Sequence, residues 1–94
     1  MEGYWIVRAR GAGVFFGKIK ERNGREVTMT EARRLYYWKG ATECCQLAAE
    51  GVKNPGECKF TMVVSEVVLM DVVEMQPCTD DAAASLRGVR EWKM

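Results

Sequence analysis

Two glycine turns, spaced about ten residues apart, constrain this chain more than any other feature. Tyr4-Trp5-Ile6-Val7-Arg8-Ala9-Arg10 is rich in aromatic and β-branched residues, stops at Gly11-Ala12-Gly13, and resumes as Val14-Phe15-Phe16-Gly17-Lys18-Ile19-Lys20, a hairpin signature. Asn23-Gly24 then supplies the positive-φ pair of a tight type I′ turn, so Arg25 to Met29 returns as a third strand. Arg33-Arg34-Leu35-Tyr36-Tyr37-Trp38 reads as a fourth. The first forty residues are thus expected to form an antiparallel meander.

After Gly40 the period changes. Ala41, Cys45, Ala48 and Ala49 recur at helical spacing, Thr42 can cap the start and Gly51 stands just past the end, which predicts a short helix near 42–50. Asn54-Pro55-Gly56 is turn chemistry. Cys58 to Met62 reads as a short strand, and Glu66 to Gln76 as one longer strand with Val67, Leu69, Val73 and Met75 on one face, Asp71 being the exception. Pro77 ends it. Thr79-Asp80-Asp81 opens a C-terminal helix near 80–93, with a capping hydroxyl and two carboxylates at the positive dipole end and a packing stripe of Ala82, Leu86, Val89 and Trp92. The expectation is an α+β fold: about six strands in all, dominated by an N-terminal antiparallel sheet, with two helices, in a single domain spanning 1–94.

With 94 residues and a 48% hydrophobic share, the chain can build one modest core. It contains no histidine, which excludes catalytic triads, histidine-bound metals and the commonest general base near neutral pH. The expectation is a binding protein without catalytic residues, metal or cofactor. Cys44, Cys45, Cys58 and Cys78 form no Cys-x-x-Cys pair and read as reduced thiols; on a helix Cys44 and Cys45 diverge by about 100°, so at most one faces the core. No apolar run approaches the roughly 18–20 residues of a membrane helix, and Met1-Glu2-Gly3 lacks the start of a secretory signal, so the expected location is cytoplasmic.

The net charge of +1 hides an asymmetry: residues 1–40 carry nine basic against four acidic groups, and residues 41–94 five against nine. This is either ordinary solvated charge, or a basic sheet suited to a compact anionic ligand or to contacts between subunits. Three constellations follow. Gly11-Ala12-Gly13, with Gly13 at its centre of approach, is either a permissive hairpin turn or a backbone cradle for phosphate; it joins two strands, so neither the dinucleotide fingerprint nor the P-loop is met. On a strand, Arg34, Tyr36 and Trp38 share one face and Arg33, Leu35 and Tyr37 the other, a pattern that either packs aromatics with arginines at the rim or holds phosphates and stacks bases. Phe60 with Arg87 and Arg90 is either a base-and-phosphate clamp or a core aromatic beside surface arginines. Glu66, Asp71 and Glu74 do not converge, since Glu66 and Glu74 lie about 27 Å apart on one strand.

The order Ala12-Gly13-Val14-Phe15, then Ala32-Arg33-Arg34-Leu35-Tyr36-Tyr37-Trp38-Lys39-Gly40-Ala41, then Gln46-Leu47-Ala48, Gly51, Pro55 and Cys58-Lys59-Phe60 resembles a family of small phage and prophage proteins. The whole arrangement is similar to the phage anti-Thoeris sponge family, an N-terminal antiparallel sheet followed by two helices. That resemblance implies a non-catalytic trap in the host bacterial cytoplasm, which binds a cyclic ADP-ribose-type or cyclic oligonucleotide immune signal of Thoeris or CBASS defence without cleaving it. It implies Phe60 stacking on the base, Arg87 and Arg90 on the phosphates, and a homo-oligomer, dimer or hexamer. The family's second arginine falls at i+4, where this chain has Glu91. The alternative is a phage accessory nucleic-acid-binding protein using Arg8, Arg10, Lys18 and Lys20, against which the acidic second half argues; no stable DNA complex is expected. A small hydrolase or transferase is the third reading, disfavoured by the missing histidine.

Overall fold

A computed structural model describes residues 1–94. Strands β1 (Tyr4–Ala9), β2 (Gly13–Asn23) and β3 (Glu26–Tyr37) form the meander. Helix α1 (Cys44–Glu50) and a 3-10 turn at Pro55–Glu57 follow, then β4 (Lys59–Phe60), β5 (Val64–Leu69), β6 (Val72–Pro77) and helix α2 (Asp80–Arg87). All six strands pair antiparallel: β6 lies beside β1, while β4 and β5 share the outer edge of β3. The α+β class, the six strands and the two helices are as the sequence predicts.

The strand count agrees through two compensating differences. The expected third and fourth strands are one strand, β3, which passes through Glu31 at φ 50 instead of breaking. Between the pairs Phe16↔Arg33 and Lys18↔Thr30, β3 carries one residue more than β2, a β-bulge. Gly17 permits it: a Cβ there would stand 2.8 Å from Ala32 Cα and 3.0 Å from Glu31 O. Because the bulge shifts the pleat by one residue, Met29 and Ala32 both face the same core despite their odd spacing. Conversely, the single expected strand 66–76 is two, β5 and β6, turned at Met70-Asp71 with Asp71 at φ 58. Apolar residues recur on the same face before and after Asp71, so the alternation reads as one strand interrupted by a single polar residue.

That turn shapes the molecule. β5 and β6 sit at opposite ends of the strand order yet only two residues separate them, so the sheet has to curl until its edges meet at this corner. The corner is stitched by Arg10 N–H to Asp71 O at 3.0 Å and Val72 N–H to Arg25 O at 2.9 Å. Inside the curl lie Val7, Phe15, Ile19, Val27, Met29, Ala32, Leu69 and Val72. On the outer face, Ile6, Phe16, Leu35 and Phe60 meet Cys44, Leu47 and Ala48 of α1 and Ala83 and Leu86 of α2. Neighbours Ile6/Val7 and Phe15/Phe16 therefore feed opposite cores, which explains why these strands read as unbroken apolar runs.

Both helices are shorter than expected. Helix α1 starts at Cys44 because Glu43, not Thr42, caps it, accepting from Cys45 N–H at 2.9 Å and Gln46 N–H at 3.3 Å. Cys44 is buried and Cys45 exposed, so Cys45 leaves the predicted stripe. Gly51 ends α1 at φ 75, where a Cβ would lie 2.4 Å from Ser85 Oγ of α2. Thr79 caps α2 as predicted, its hydroxyl accepting from Ala82 N–H at 3.0 Å. Helix α2 stops at Arg87 rather than near 93. Gly88 closes it, and the tail pairs with β4 instead: Trp92 N–H donates to Phe60 O at 2.8 Å, and Glu91 bridges Phe60 in parallel. No helix is long and apolar enough to cross a membrane.

Candidate functional site

The basic first half is mostly neutralised within the chain. Five of the seven salt bridges join it to the acidic second half: Arg8–Glu74 at 2.8 Å, Arg10–Asp71 at 3.0 Å, Arg25–Asp71 at 3.2 Å, Lys20–Glu66 at 2.9 Å and Lys39–Glu57 at 3.2 Å. The charge asymmetry is thus largely consumed by folding and does not stand as a free basic sheet. The hairpin Arg8, Arg10, Lys18 and Lys20 is fully paired, and Glu66, Asp71 and Glu74 are each held by a cation. Arg8 holds the Glu74 carboxyl below its usual range, helped by Gln76, and Lys18 does the same to Glu31, helped by Tyr4. Arg22, Arg33, Arg34, Lys53, Lys59, Arg87 and Arg90 form no ion pair; Arg22 donates to Gly24 O at 3.1 Å in its own turn, and the others mark where an anion can be bound.

The seven expected site residues separate into four places. Phe60 is wholly buried in the helix-side core, so its ring faces are unavailable to a base. Arg33 is 2% exposed and also structural, because the pleat turns it toward the helices together with Leu35. Its Nε–H donates to Thr61 O at 3.0 Å and its Nη1 to Leu86 O at 3.2 Å and Val89 O at 2.9 Å, tying β3 to the end of α2. It lies 5.3 Å from the Phe60 ring centroid. Arg87 and Arg90 do not form a helical pair: Arg87 ends α2 beside Tyr4, whereas Arg90 lies past Gly88 in a shallow cleft with Pro55, Cys58 and Trp92. The Phe60/Arg87/Arg90 clamp is therefore not assembled within one chain.

Gly13, Arg34 and Tyr36 do come together. Gly11, Ala12, Gly13 and Val14 form one wall of a groove of about 340 Å³, and Arg34, Leu35 and Tyr36 the other. Gly11 at φ 80 and Gly13 at φ 95 hold a turn that L side chains rarely adopt, leaving the backbone uncovered. The exposed Arg34 guanidinium lies 4.8 Å from the Phe15 ring centroid with no carboxylate partner. That ring orients the cation without neutralising it. Tyr36, 62% exposed, stacks on Trp92 with centroids 4.9 Å apart and planes 18° apart. Lys59 Nζ sits 5.5 Å over the Trp92 ring. Trp38 does not join this face: a register shift between Leu35 and Tyr37 ends the alternation, and Trp38 packs on the helix-side core.

A second cation-lined cavity, of about 160 Å³, opens between Tyr4, Phe16, Glu31, Arg33, Val63 and Arg87. Tyr4 stacks on Phe16 at 4.9 Å, and Arg87 and Lys18 approach its ring at 5.0 and 5.4 Å. Sequence reasoning missed Trp92, Lys59 and Tyr4. Trp92 was assigned to a helix stripe, and only the tail's pairing with β4 brings it to Tyr36; no local signal marks that.

A family model described as a domain of unknown function, DUF6948, matches residues 2–86. No curated protein and no solved structure matches the chain. The match runs from before β1 to the last turn of α2, across every strand that builds both cavities, and on that extent the chain belongs to the DUF6948 family.

Proposed function

We propose that this protein is a non-catalytic trap that binds a cyclic nucleotide immune signal, of the cyclic ADP-ribose or cyclic oligonucleotide type, in the groove between the Gly11–Gly13 turn and Arg34–Tyr36. The observation that carries the reading is the free Arg34 guanidinium beside an open glycine turn and an exposed aromatic pair. A guanidinium grips phosphate through paired N–H donors, and a glycine turn admits the ligand to its backbone. A base stacked on Tyr36 contributes about 1–3 kcal/mol. The groove volume lies at the small end of ligand sites, roughly 300–1,000 Å³, which suits one nucleotide unit of a cyclic ligand per groove. The remaining units then need a second surface, which is why the reading includes a homo-oligomer with ligand between protomers.

The test is calorimetric titration with cyclic ADP-ribose and cyclic dinucleotides, followed by chromatography of the ligand released on heating. Saturable binding, intact ligand on release, and a loss of about 5- to 150-fold in Arg34→Ala and in Tyr36→Ala are expected. Cleaved product, or binding unaffected by both substitutions, would overturn it. A second reading, single-stranded nucleic acid on the same face, is favoured by the open Tyr36–Trp92 pair flanked by Lys59. An oligonucleotide of roughly ten residues, within the span such small domains cover, separates the two when titrated alongside.

A further inference from the structure

We propose that the cavity between Arg33 and Arg87 is a phosphoryl-binding site, separate from the Arg34–Tyr36 groove and independent of the reading given above. A guanidinium carries five N–H groups, always charged and never acceptors. In Arg33, Nε–H and the two N–H groups of Nη1 are taken by Thr61 O, Leu86 O and Val89 O. Both N–H groups of Nη2 remain, and this nitrogen is buried with no acceptor in the protein. A buried charged donor left in that state is costly, and native interiors rarely keep one without a partner to supply.

The surroundings define that partner. Arg33 lines the cavity with Arg87, Glu31, Tyr4, Phe16 and Val63. The Glu31 carboxylate is already engaged, accepting from the Tyr4 hydroxyl at 3.1 Å and pairing with Lys18 Nζ at 3.1 Å. It offers Arg33 no hydrogen bond, and with Lys18 it is internally neutral. Arg33 and Arg87 therefore bring two positive charges to a lining whose one carboxylate is shared with Lys18, while Glu91, which acts on Arg33 from outside the lining, is paired with Lys93; the surplus positive charge matches a dianion better than a carboxylate. The volume of about 160 Å³ exceeds one water's share of roughly 30 Å³ several-fold yet falls short of a site for a whole nucleotide. A phosphoryl group fits both limits. Burial holds the Arg33 pKa below its ordinary value, so an anion in the cavity also relieves the desolvation of that charge. Three carbonyls immobilise Arg33 in advance, so little side-chain entropy is lost when the anion arrives. Arg87 is exposed, a second arm held over the Tyr4 ring at 5.0 Å.

The experiment titrates the ¹⁵N-labelled protein with inorganic phosphate at constant ionic strength, holding it at roughly 1–10 mM, below the range where phosphate stabilises proteins by exclusion. Parallel arms use adenosine monophosphate, adenosine and acetate. Saturable amide shifts at Phe16, Glu31, Val63 and the end of α2 are expected with phosphate or the monophosphate, and none at these residues with adenosine or acetate; shifts at Gly11–Gly13 and Tyr36 report the groove instead. Saturation by inorganic phosphate assigns a free anion as ligand; saturation by the monophosphate alone assigns a phosphoryl group carried on a larger molecule. Arg87→Gln should weaken binding about tenfold or more while leaving the melting temperature within a few degrees. Arg34→Ala should leave it unchanged, which keeps this site distinct from the groove. Non-saturable shifts, equal response to acetate, or undiminished binding in Arg87→Gln would each overturn the proposal.

Discussion

Replacing Phe60 by alanine tests whether the structure has correctly moved this ring from ligand to core. Phe60 is wholly buried between β3 and the helices, pairs with Leu35 in the ladder and lies 5.3 Å from the Arg33 guanidinium. Truncating a buried phenylalanine costs about 3–5 kcal/mol in transfer and cavity terms. The lost cation–π contact with Arg33 adds up to about 1–2 kcal/mol. A domain of this size holds only about 5–15 kcal/mol in total, so a third or more of its stability goes. At roughly 4–8 °C per kcal/mol, a loss of about 4 kcal/mol lowers the melting temperature by about 15–30 °C. Circular dichroism melts of wild type, Phe60→Ala and Phe60→Leu read this directly. The leucine variant keeps more of the volume but also loses the ring beside Arg33, so it should lose roughly 1–3 kcal/mol, less than the alanine variant. A fall of less than about 5 °C in Phe60→Ala, accompanied by lost nucleotide affinity, would refute the packing argument and restore Phe60 as a stacking residue.

Gly17→Ala should destabilise by about 1–3 kcal/mol, because its Cβ meets the backbone of the β3 bulge rather than a yielding side chain, whereas nothing lies within 4 Å of a Cβ at Gly13 and the cost there is strain alone; paired urea titrations compare them. Iodoacetamide should modify exposed Cys45 well before buried Cys44 and half-buried Cys78, whose thiol burial pushes up to about 11; peptide mapping orders the sites. Because the unfolded Cys78 thiol ionises near 9 and the folded one near 11, this group's contribution to stability is lost progressively between those pH values, and Cys78→Ala should flatten that alkaline fall. In acid the sign reverses. Glu31 and Glu74 are held below their usual value near 4.5, so their stabilisation is present above it and fades as pH falls through the folded values, an effect that added salt should shrink; melts from pH 6 to 3 measure it.

Much of the fold was written locally. The Gly11–Gly13 and Asn23-Gly24 turns, the Thr79 cap, the Gly51 stop and the β-branched runs each act over a few residues, so the hairpins and both helices could be read from the chain alone. The errors share a cause. Glu31 and Asp71 adopt positive φ without being glycine: Glu31 carries no local mark and hid a bulge that fused two strands, whereas Asp71, an aspartate interrupting an otherwise apolar face, was the one sign of the turn that splits 66–76. Likewise α2 ends at Gly88 rather than running on to Trp92, because the tail finds better partners on β4 than in another helical turn.

The candidate residues divide along the same line. Residue type determined which side chains are able to bind an anion or stack on a base, and Gly13, Arg34 and Tyr36 were legible because a turn and a two-residue alternation place them. Which arginines remain available was decided only in three dimensions. Arg33 and Arg34 are neighbours of identical chemistry, yet the pleat, shifted one step by the Glu31 bulge, buries one against three carbonyls and leaves the other free on the groove. Arg8, Arg10, Lys20 and Arg25 look equally available in the chain and are spent on carboxylates more than forty residues away. A local pattern sets a side chain's direction; its partner is set by the curl of the sheet, because charge and burial are properties of what packs against a residue and not of the residue itself.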